Sequence, residues 1–135
     1  MFEVGDSFVL RNENGVHLHV IIAEASSRKD GEVMLVYLTS SKSFRDETTI
    51  IRYGEHPFVD KLDAVSWIKY QNVMVYSRVA LAKLIIDDYG PIDERLLKRI
   101  QDGIEKSDFV EGWKKKLFRD WHMDRVYRMM RGDSS

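Results

Sequence analysis

The segments VHLHVIIA (Val16 to Ala23) and VMLVYLT (Val33 to Thr39) are rich in the aliphatic, β-branched and aromatic residues that strands favour. The first alternates polar and apolar side chains before it becomes wholly apolar, and the second is apolar almost throughout. A polar stretch with an Asp30-Gly31 turn signal separates them. The sequence therefore predicts two buried strands joined by a turn.

Shorter strand-like runs lie on both sides of these two segments. Phe8 to Leu10 follows a Gly5-Asp6 pair and leads into a turn that ends at Gly15. Three more runs follow downstream: Thr48 to Ile51, Ala64 to Trp67 and Asn72 to Tyr76. Short strands in succession predict a mostly antiparallel sheet or a small barrel.

The apolar period changes to a helical one from Ser77. The first helical pattern runs to Tyr89 and stops at Gly90-Pro91. Asp93 is a candidate N-cap for a second helix, with a stripe of Leu96, Leu97, Ile100 and Ile104. A third helix carries Val110, Trp113, Leu117 and Trp121 on one predicted face. The expected fold class is α+β, with strands before helices.

Composition narrows the class of protein. A chain of 135 residues with 44% hydrophobic and 32% charged residues suits one folded domain. The absence of cysteine excludes disulfides, thiolate metal sites and a cysteine nucleophile. We expect no cofactor. No signal peptide or membrane-spanning run is recognisable, so we expect a cytoplasmic protein that does not bind membranes.

Charge is unevenly distributed along the chain. The net charge is −1, which argues against nucleic-acid binding through a bulk positive field. From Glu111 to Arg131, however, seven Lys or Arg residues stand against three acidic residues. We therefore divide the chain into residues 1–108, a barrel with helices, and residues 109–135, a basic amphipathic helical extension of the same domain.

His17 and His19 are the strongest candidates for chemistry. Residues two apart on a strand point to the same face, so both imidazoles should lie opposite Leu18 and Val20. Such a pair can be purely structural, can transfer protons in catalysis, or can bind a metal together with His56. The sequence leaves these three possibilities open.

Other polar residues lie near the ends of the strands. Thr39 and Ser40 follow a buried strand, where hydroxyl groups often face a pocket or cap a turn. Arg45 and Arg52 flank the next strand and can bind phosphate. His56 lies in a predicted exposed turn.

Taken in order, these landmarks resemble the MazF/PemK family of toxins from type II toxin-antitoxin systems. The resemblance covers residues 4–107 and rests on five matching segments: Gly5-Asp6, His17 to Ala23, Val33 to Ser40, Val65 to Tyr76 and Gly90 to Ile104. The best matched functional pair is Thr39-Ser40. His17 stands at the position of the family's catalytic arginine, and Leu18 stands where the family has proline.

The resemblance implies a small twisted barrel of the SH3-like kind that forms a homodimer and is bound by a cognate antitoxin protein. It also implies cleavage of single-stranded RNA without a metal ion. On that basis we expect His17, His19, Thr39 and Ser40 to be catalytic, with the two imidazoles exchanging the proton. Arg45, Arg52 and His56 would then bind the substrate.

A second hypothesis belongs to a different class of protein. The chain can instead be a catalytically silent barrel that binds a protein or a nucleic acid, with the basic helix as its docking element. The acidic body favours this alternative, because RNA binding draws on the neutralisation of phosphates.

Overall fold

The computed structural model describes residues 2–25, 31–40, 46–60 and 65–132. They form an α+β fold with three α-helices and an antiparallel sheet of seven strands. The strands are β1 (Asp6–Asn12), β2 (Gly15–Glu24), β3 (Glu32–Thr39), β4 (Ile50–Arg52), β5 (Val65–Ile68), β6 (Met74–Ser77) and β7 (Ile85–Pro91). The helices are α1 (Arg78–Leu84), α2 (Glu94–Lys106) and α3 (Gly112–Met130), and a 3-10 turn spans Tyr70–Asn72.

The segments Val16 to Ala23 and Val33 to Thr39 form the middle of the sheet, which confirms their assignment as buried strands. β2 and β3 pair in antiparallel register, with His19 opposite Tyr37 and Ile21 opposite Leu35. The turn expected between them falls on residues 26–30, outside the described part of the chain.

β3 is shared between two different neighbours on its second edge. Its first half pairs with β6, with Val33 opposite Tyr76, and its last residues pair with β5, with Leu38 opposite Ile68. The strand order is β4-β5-β3-β2-β1-β7, with β6 beside β3. The strand therefore changes partners near Tyr37, and the sheet divides there.

The sheet is antiparallel as expected, but it does not close into the expected barrel. β4 and β7 end the strand order and do not pair with each other within the described residues. α2 lies across this opening: Arg99 donates to the carbonyl oxygen of Ile50 in β4, and Leu97 packs against Gly5 beside β1. β4 is only three residues long, and the carbonyl group of its Ile50 binds a side chain of α2. The helix therefore lies where a further strand would have to pair with β4 to close the barrel.

Both faces of the sheet are covered by apolar side chains. On one face, Leu18, Val20 and Ile22 join Ile100 of α2 and Phe118 of α3 in the larger core. The opposite face carries a smaller core built on Phe8, Leu10, Ile21, Leu35 and Leu81 of α1. The second core determines the surroundings of the histidines on that face.

The helix expected over residues 77–89 is shorter than the sequence pattern indicated. α1 begins after the Ser77 N-cap, whose hydroxyl accepts from the Ala80 amide, and it ends at Leu84. Ile85 then starts β7, which pairs with β1. The β-branched pair Ile85-Ile86 favours a strand once an open sheet edge is available, and pairing overrides the helical spacing.

α3 packs on the molecule through its first half only. Phe118 is buried, and Leu117 and Trp121 are partly buried against the larger core. Trp113, expected on the same apolar stripe, is 57% exposed, so this part of the prediction was wrong. No helix among the described residues is long and apolar enough to cross a membrane.

Candidate functional site

His17 is the more accessible of the two paired histidines. It lies half-buried on β2, where Nδ1 is 3.2 Å from the carbonyl oxygen of Leu38 and Nε2 is 2.9 Å from that of Asn14. Its ring stacks on Tyr37, with 4.4 Å between centroids. A carbonyl oxygen only accepts, so each ring nitrogen that carries a proton has an acceptor in place. The Nδ1 contact is partly buried and the Nε2 contact is exposed.

His19 lies on the same face in a dry environment. Its side chain is fully buried, and Nδ1 lies 2.8 Å from the carbonyl oxygen of His17. Nε2 is buried and has no hydrogen-bond partner among the described residues. Burial lowers the pKa of His19 to about 4, because the charged ring would lose its hydration. This ring stays neutral at physiological pH.

Tyr37 connects the two histidines and was missed in the sequence analysis. Its ring stacks on His17 and lies 5.3 Å from the ring of His19. Its hydroxyl accepts a hydrogen bond of 2.8 Å from Nδ2 of Asn72. Tyr37 lies directly opposite His19 in the pairing of β2 with β3. Aligning these two strands in the sequence would have identified Tyr37 as a neighbour of the histidines.

The tip of the β1–β2 hairpin lies against the same site. The Asn14 amide donates to Oδ1 of Asn12 at 2.8 Å, which fixes the turn. Nδ2 of Asn12 lies 3.3 Å from the hydroxyl of Tyr76 and 3.8 Å from the sulfur of Met74. Nδ2 of Asn14 also lies 3.8 Å from that sulfur. The hairpin tip therefore contacts β6.

Thr39 and Ser40 follow Leu38, the residue whose carbonyl group faces His17. Thr39 is buried at the end of β3, opposite Trp67, and Ser40 is exposed. These two residues are thus brought near His17 by the chain itself. Arg45 lies outside the described residues.

His56 belongs to a different part of the molecule. Its Nδ1 accepts from the Phe58 amide at 2.9 Å, so Nε2 carries the proton and donates to Oγ of Ser7 at 3.0 Å. The Ser7 hydroxyl in turn donates to the carbonyl oxygen of Gly90 at 2.8 Å. Burial lowers the pKa of His56. Its contacts join the turn after β4 to β1 and β7, and none of them is shared with His17.

Arg52 is also separate from the histidine pair. It is exposed at the end of β4, beside a surface pocket of about 360 Å³ that Thr49, Arg99 and Lys106 also line. In the described ranges, no group of three or more His, Cys, Asp or Glu residues could hold a metal ion. The structure thus places Thr39 and Ser40 directly after Leu38, which contacts His17, whereas the ring of His56 contacts Ser7, Phe58 and Tyr89.

Comparison with known proteins gives a likeness of fold. No family model and no curated protein matches the sequence. Among solved structures, the chain is similar to an endoribonuclease in complex with its cognate antitoxin from a mycobacterial species, with 15% identity and a TM-score of 0.53. The match covers 80% of this chain and 93% of that chain. At this identity the likeness shows a shared fold and no more.

Proposed function

We propose that this protein is a metal-independent endoribonuclease of the MazF/PemK type that cuts single-stranded RNA. In this proposal it acts in the cytoplasm as a homodimer, and a cognate antitoxin protein binds it. The fold shared with an endoribonuclease that is bound to its antitoxin supports the class of function. The geometry of His17 is the observation that carries the chemistry.

His17 has the arrangement that an acid catalyst needs. Nδ1 is anchored on the carbonyl oxygen of Leu38, and Nε2 contacts Asn14 at the exposed end of the hairpin. An RNA phosphate can replace the Asn14 carbonyl as the partner of Nε2. The charged ring then stabilises the negative charge that develops on phosphorus and donates its proton to the departing 5′-oxygen. A positively charged side chain at position 17 also matches the arginine that the MazF/PemK family has there.

The reaction that follows is an attack of the RNA's own 2′-oxygen on phosphorus. The bond from phosphorus to the 5′-oxygen breaks, and the products are a 2′,3′-cyclic phosphate and a 5′-hydroxyl. His17 supplies the proton for the 5′-oxygen, and water accepts the 2′-hydroxyl proton. Thr39 and Ser40 are proposed to donate to the phosphate oxygens, because they follow the residue that anchors His17.

His19 takes a supporting role in this proposal. From the sequence we expected His19 to take part in proton exchange, but a fully buried ring with a pKa of about 4 cannot deliver a proton to RNA. Its Nδ1 holds the backbone of His17 instead. Arg45 and Arg52 remain candidates for RNA contacts. His56, expected in an exposed turn, is instead buried with both ring nitrogens in hydrogen bonds, so it is not proposed to bind RNA.

A cleavage assay tests the proposal. Purified protein in EDTA should cut a single-stranded RNA and leave a cyclic phosphate end. His17→Ala should reduce the rate by about 100-fold or more, the typical contribution of a general acid. His122→Ala is the matched control, since His122 is an exposed histidine on α3, and its rate should equal that of the wild type.

The silent-barrel alternative is favoured by one observation. Burial of His19 leaves only His17 of this pair accessible, whereas proton exchange between two imidazoles needs both. RNA that stays intact with wild-type protein from pH 5 to 8 would reject the enzyme and favour the binding module. Equal rates for His17→Ala and the wild type would instead reject the assignment of His17.

A further inference from the structure

The chain has three asparagines, Asn12, Asn14 and Asn72. Asn12 and Asn14 are at the tip of the β1–β2 hairpin, and the carbonyl oxygen of Asn14 faces Nε2 of His17. Asn72 reaches the same place from the other side, through the hydroxyl of Tyr37. The backbone of Asn14 therefore contacts the ring to which the proposed function assigns catalysis, and the side chains of Asn12 and Asn14 lie on the same hairpin tip.

The amide groups of the hairpin tip are held by weak partners. Asn14 is exposed, and its Nδ2 contacts only the thioether sulfur of Met74 at 3.8 Å among the described residues. Asn12 meets the same sulfur and the phenol of Tyr76 at 3.3 Å. A thioether is a weak acceptor, so a stronger acceptor from a ligand can replace it at little cost.

The chemistry of this surface fits a nucleobase better than a phosphate. Amides present a donor and an acceptor side by side, as the edges of bases do. The tip's two charged residues, Arg11 and Glu13, are both exposed and opposite in sign, so the tip offers no net charge to a phosphate. Half-buried Met74 and Tyr76 provide apolar surface beside the amides, and unpaired bases in RNA are commonly held by such surfaces.

We propose that the hairpin tip, with Met74 and Tyr76, is a subsite for one unpaired base of single-stranded RNA, read by the side chains of Asn12 and Asn14. The inference rests on the proposed function, because it places this base next to the phosphate that His17 contacts. The residue that faces the catalytic ring through its carbonyl group thus selects the neighbouring base through its side chain.

Two measurements test the subsite. The first maps the cut sites in a mixed-sequence single-stranded RNA for the wild type and for Asn14→Ala. Loss of the amide contacts should relax the base preference at one position beside the cut and lower kcat/KM for the preferred sequence by about 5- to 100-fold. Gln71→Ala removes an exposed amide outside the hairpin and should change neither quantity.

The second measurement uses short, fluorescein-labelled 2′-O-methyl oligonucleotides, which cannot be cut, and follows binding by anisotropy. Asn14→Ala should weaken binding of the preferred sequence and leave the other sequences unchanged. Asn14→Asp, which keeps the shape of the side chain, should also lose the wild-type preference, and melting curves of both variants check that they are folded.

The two proposals fail in different ways. If the wild type cuts RNA and both Asn14 variants keep its cut sites and its kcat/KM, the subsite is overturned and the enzyme stands. If the wild type cuts no RNA, the anisotropy experiment still decides. Sequence-selective binding that Asn14→Ala abolishes supports the subsite, and binding that is absent or unaffected overturns it.

Discussion

Gly103 lies in the last turn of α2, where the helix passes over the buried ring of Tyr70. A Cβ atom added at this position would come within 2.5 Å of Cζ of Tyr70 and 2.7 Å of Oγ1 of Thr49. Carbon atoms in contact normally lie about 3.5 Å or more apart. We therefore expect Gly103→Ala to force the helix and the ring apart, although alanine is the better helix former.

The cost can be worked out from the contacts of the ring. The Tyr70 hydroxyl donates to the carbonyl oxygen of Ile100 at 2.7 Å and shares a hydrogen bond with Thr49 at 2.7 Å. Losing both bonds costs about 2 kcal/mol, and overpacking a tight core costs about 1–3 kcal/mol more. The higher helix propensity of alanine offsets about 1 kcal/mol of this destabilisation. Gly103→Ala should therefore lower the free energy of unfolding by about 2–4 kcal/mol.

Urea unfolding followed by circular dichroism measures this difference. Gly112→Ala is the matched control, because an added Cβ there meets no atom within 4 Å, and it should not destabilise the protein. Tyr70→Phe removes the hydroxyl that lies closest to the new methyl group, so the double variant should lose less than the sum of the single losses. A Gly103→Ala protein as stable as the wild type would refute the close packing of α2 on Tyr70.

Acidification should destabilise the fold through His19, whose pKa is lowered by burial from 6.5 to about 4. Between those pH values the unfolded chain binds more protons, so the free energy of unfolding should fall by up to about 3 kcal/mol from pH 7 to 4. In urea unfolding experiments, the free energy of unfolding of His19→Gln should change less with pH than that of the wild type. The pKa of His56 is also lowered by burial, so His56 should cause a remaining change of the same sign. A pH dependence equal to that of the wild type would contradict this account. Deleting residues 123–135 should leave the melting temperature within about 2 °C, because the described side chains of this segment are exposed or make no core contact. Deleting residues 109–135 removes Val110 and Phe118 from the core, so it should lower the melting temperature by about 10 °C or cause aggregation. Equal melting temperatures for the two truncated proteins would refute the packing of α3.

The strands could be predicted where local composition and burial agree. β2 and β3 are rich in the residues that strands favour and lie in the middle of the sheet, so pattern and environment coincide. β7 could not be found in this way, because Leu81, Leu84 and Ile85 have helical spacing. Its strand forms by pairing with β1 from about 80 residues earlier, and such distant pairing leaves no local signal.

The histidine pair illustrates the same limit at the site. A period of two places both rings opposite Leu18 and Val20, and the larger core on that other face confirms it. The period of two does not predict whether the face that carries the histidines is exposed to solvent. Here Phe8 and Tyr37 flank His19 in the register and the smaller core lies beside it, so one ring is buried and the other is partly exposed.

The pairing of β1 with β7 also determines when the fold can form during synthesis. Ser7 lies opposite Gly90, and β1 is otherwise paired on one side only, with β2. As the chain leaves the ribosome, the outer edge of β1 therefore stays unpaired until about 80 further residues have been made. Contacts between residues so far apart in sequence form slowly, because the loop between them must close first. The outer edge of β1 is thus expected to stay unpaired until β7 has left the ribosome, and α2 and α3, which follow β7, cover the larger core only after that.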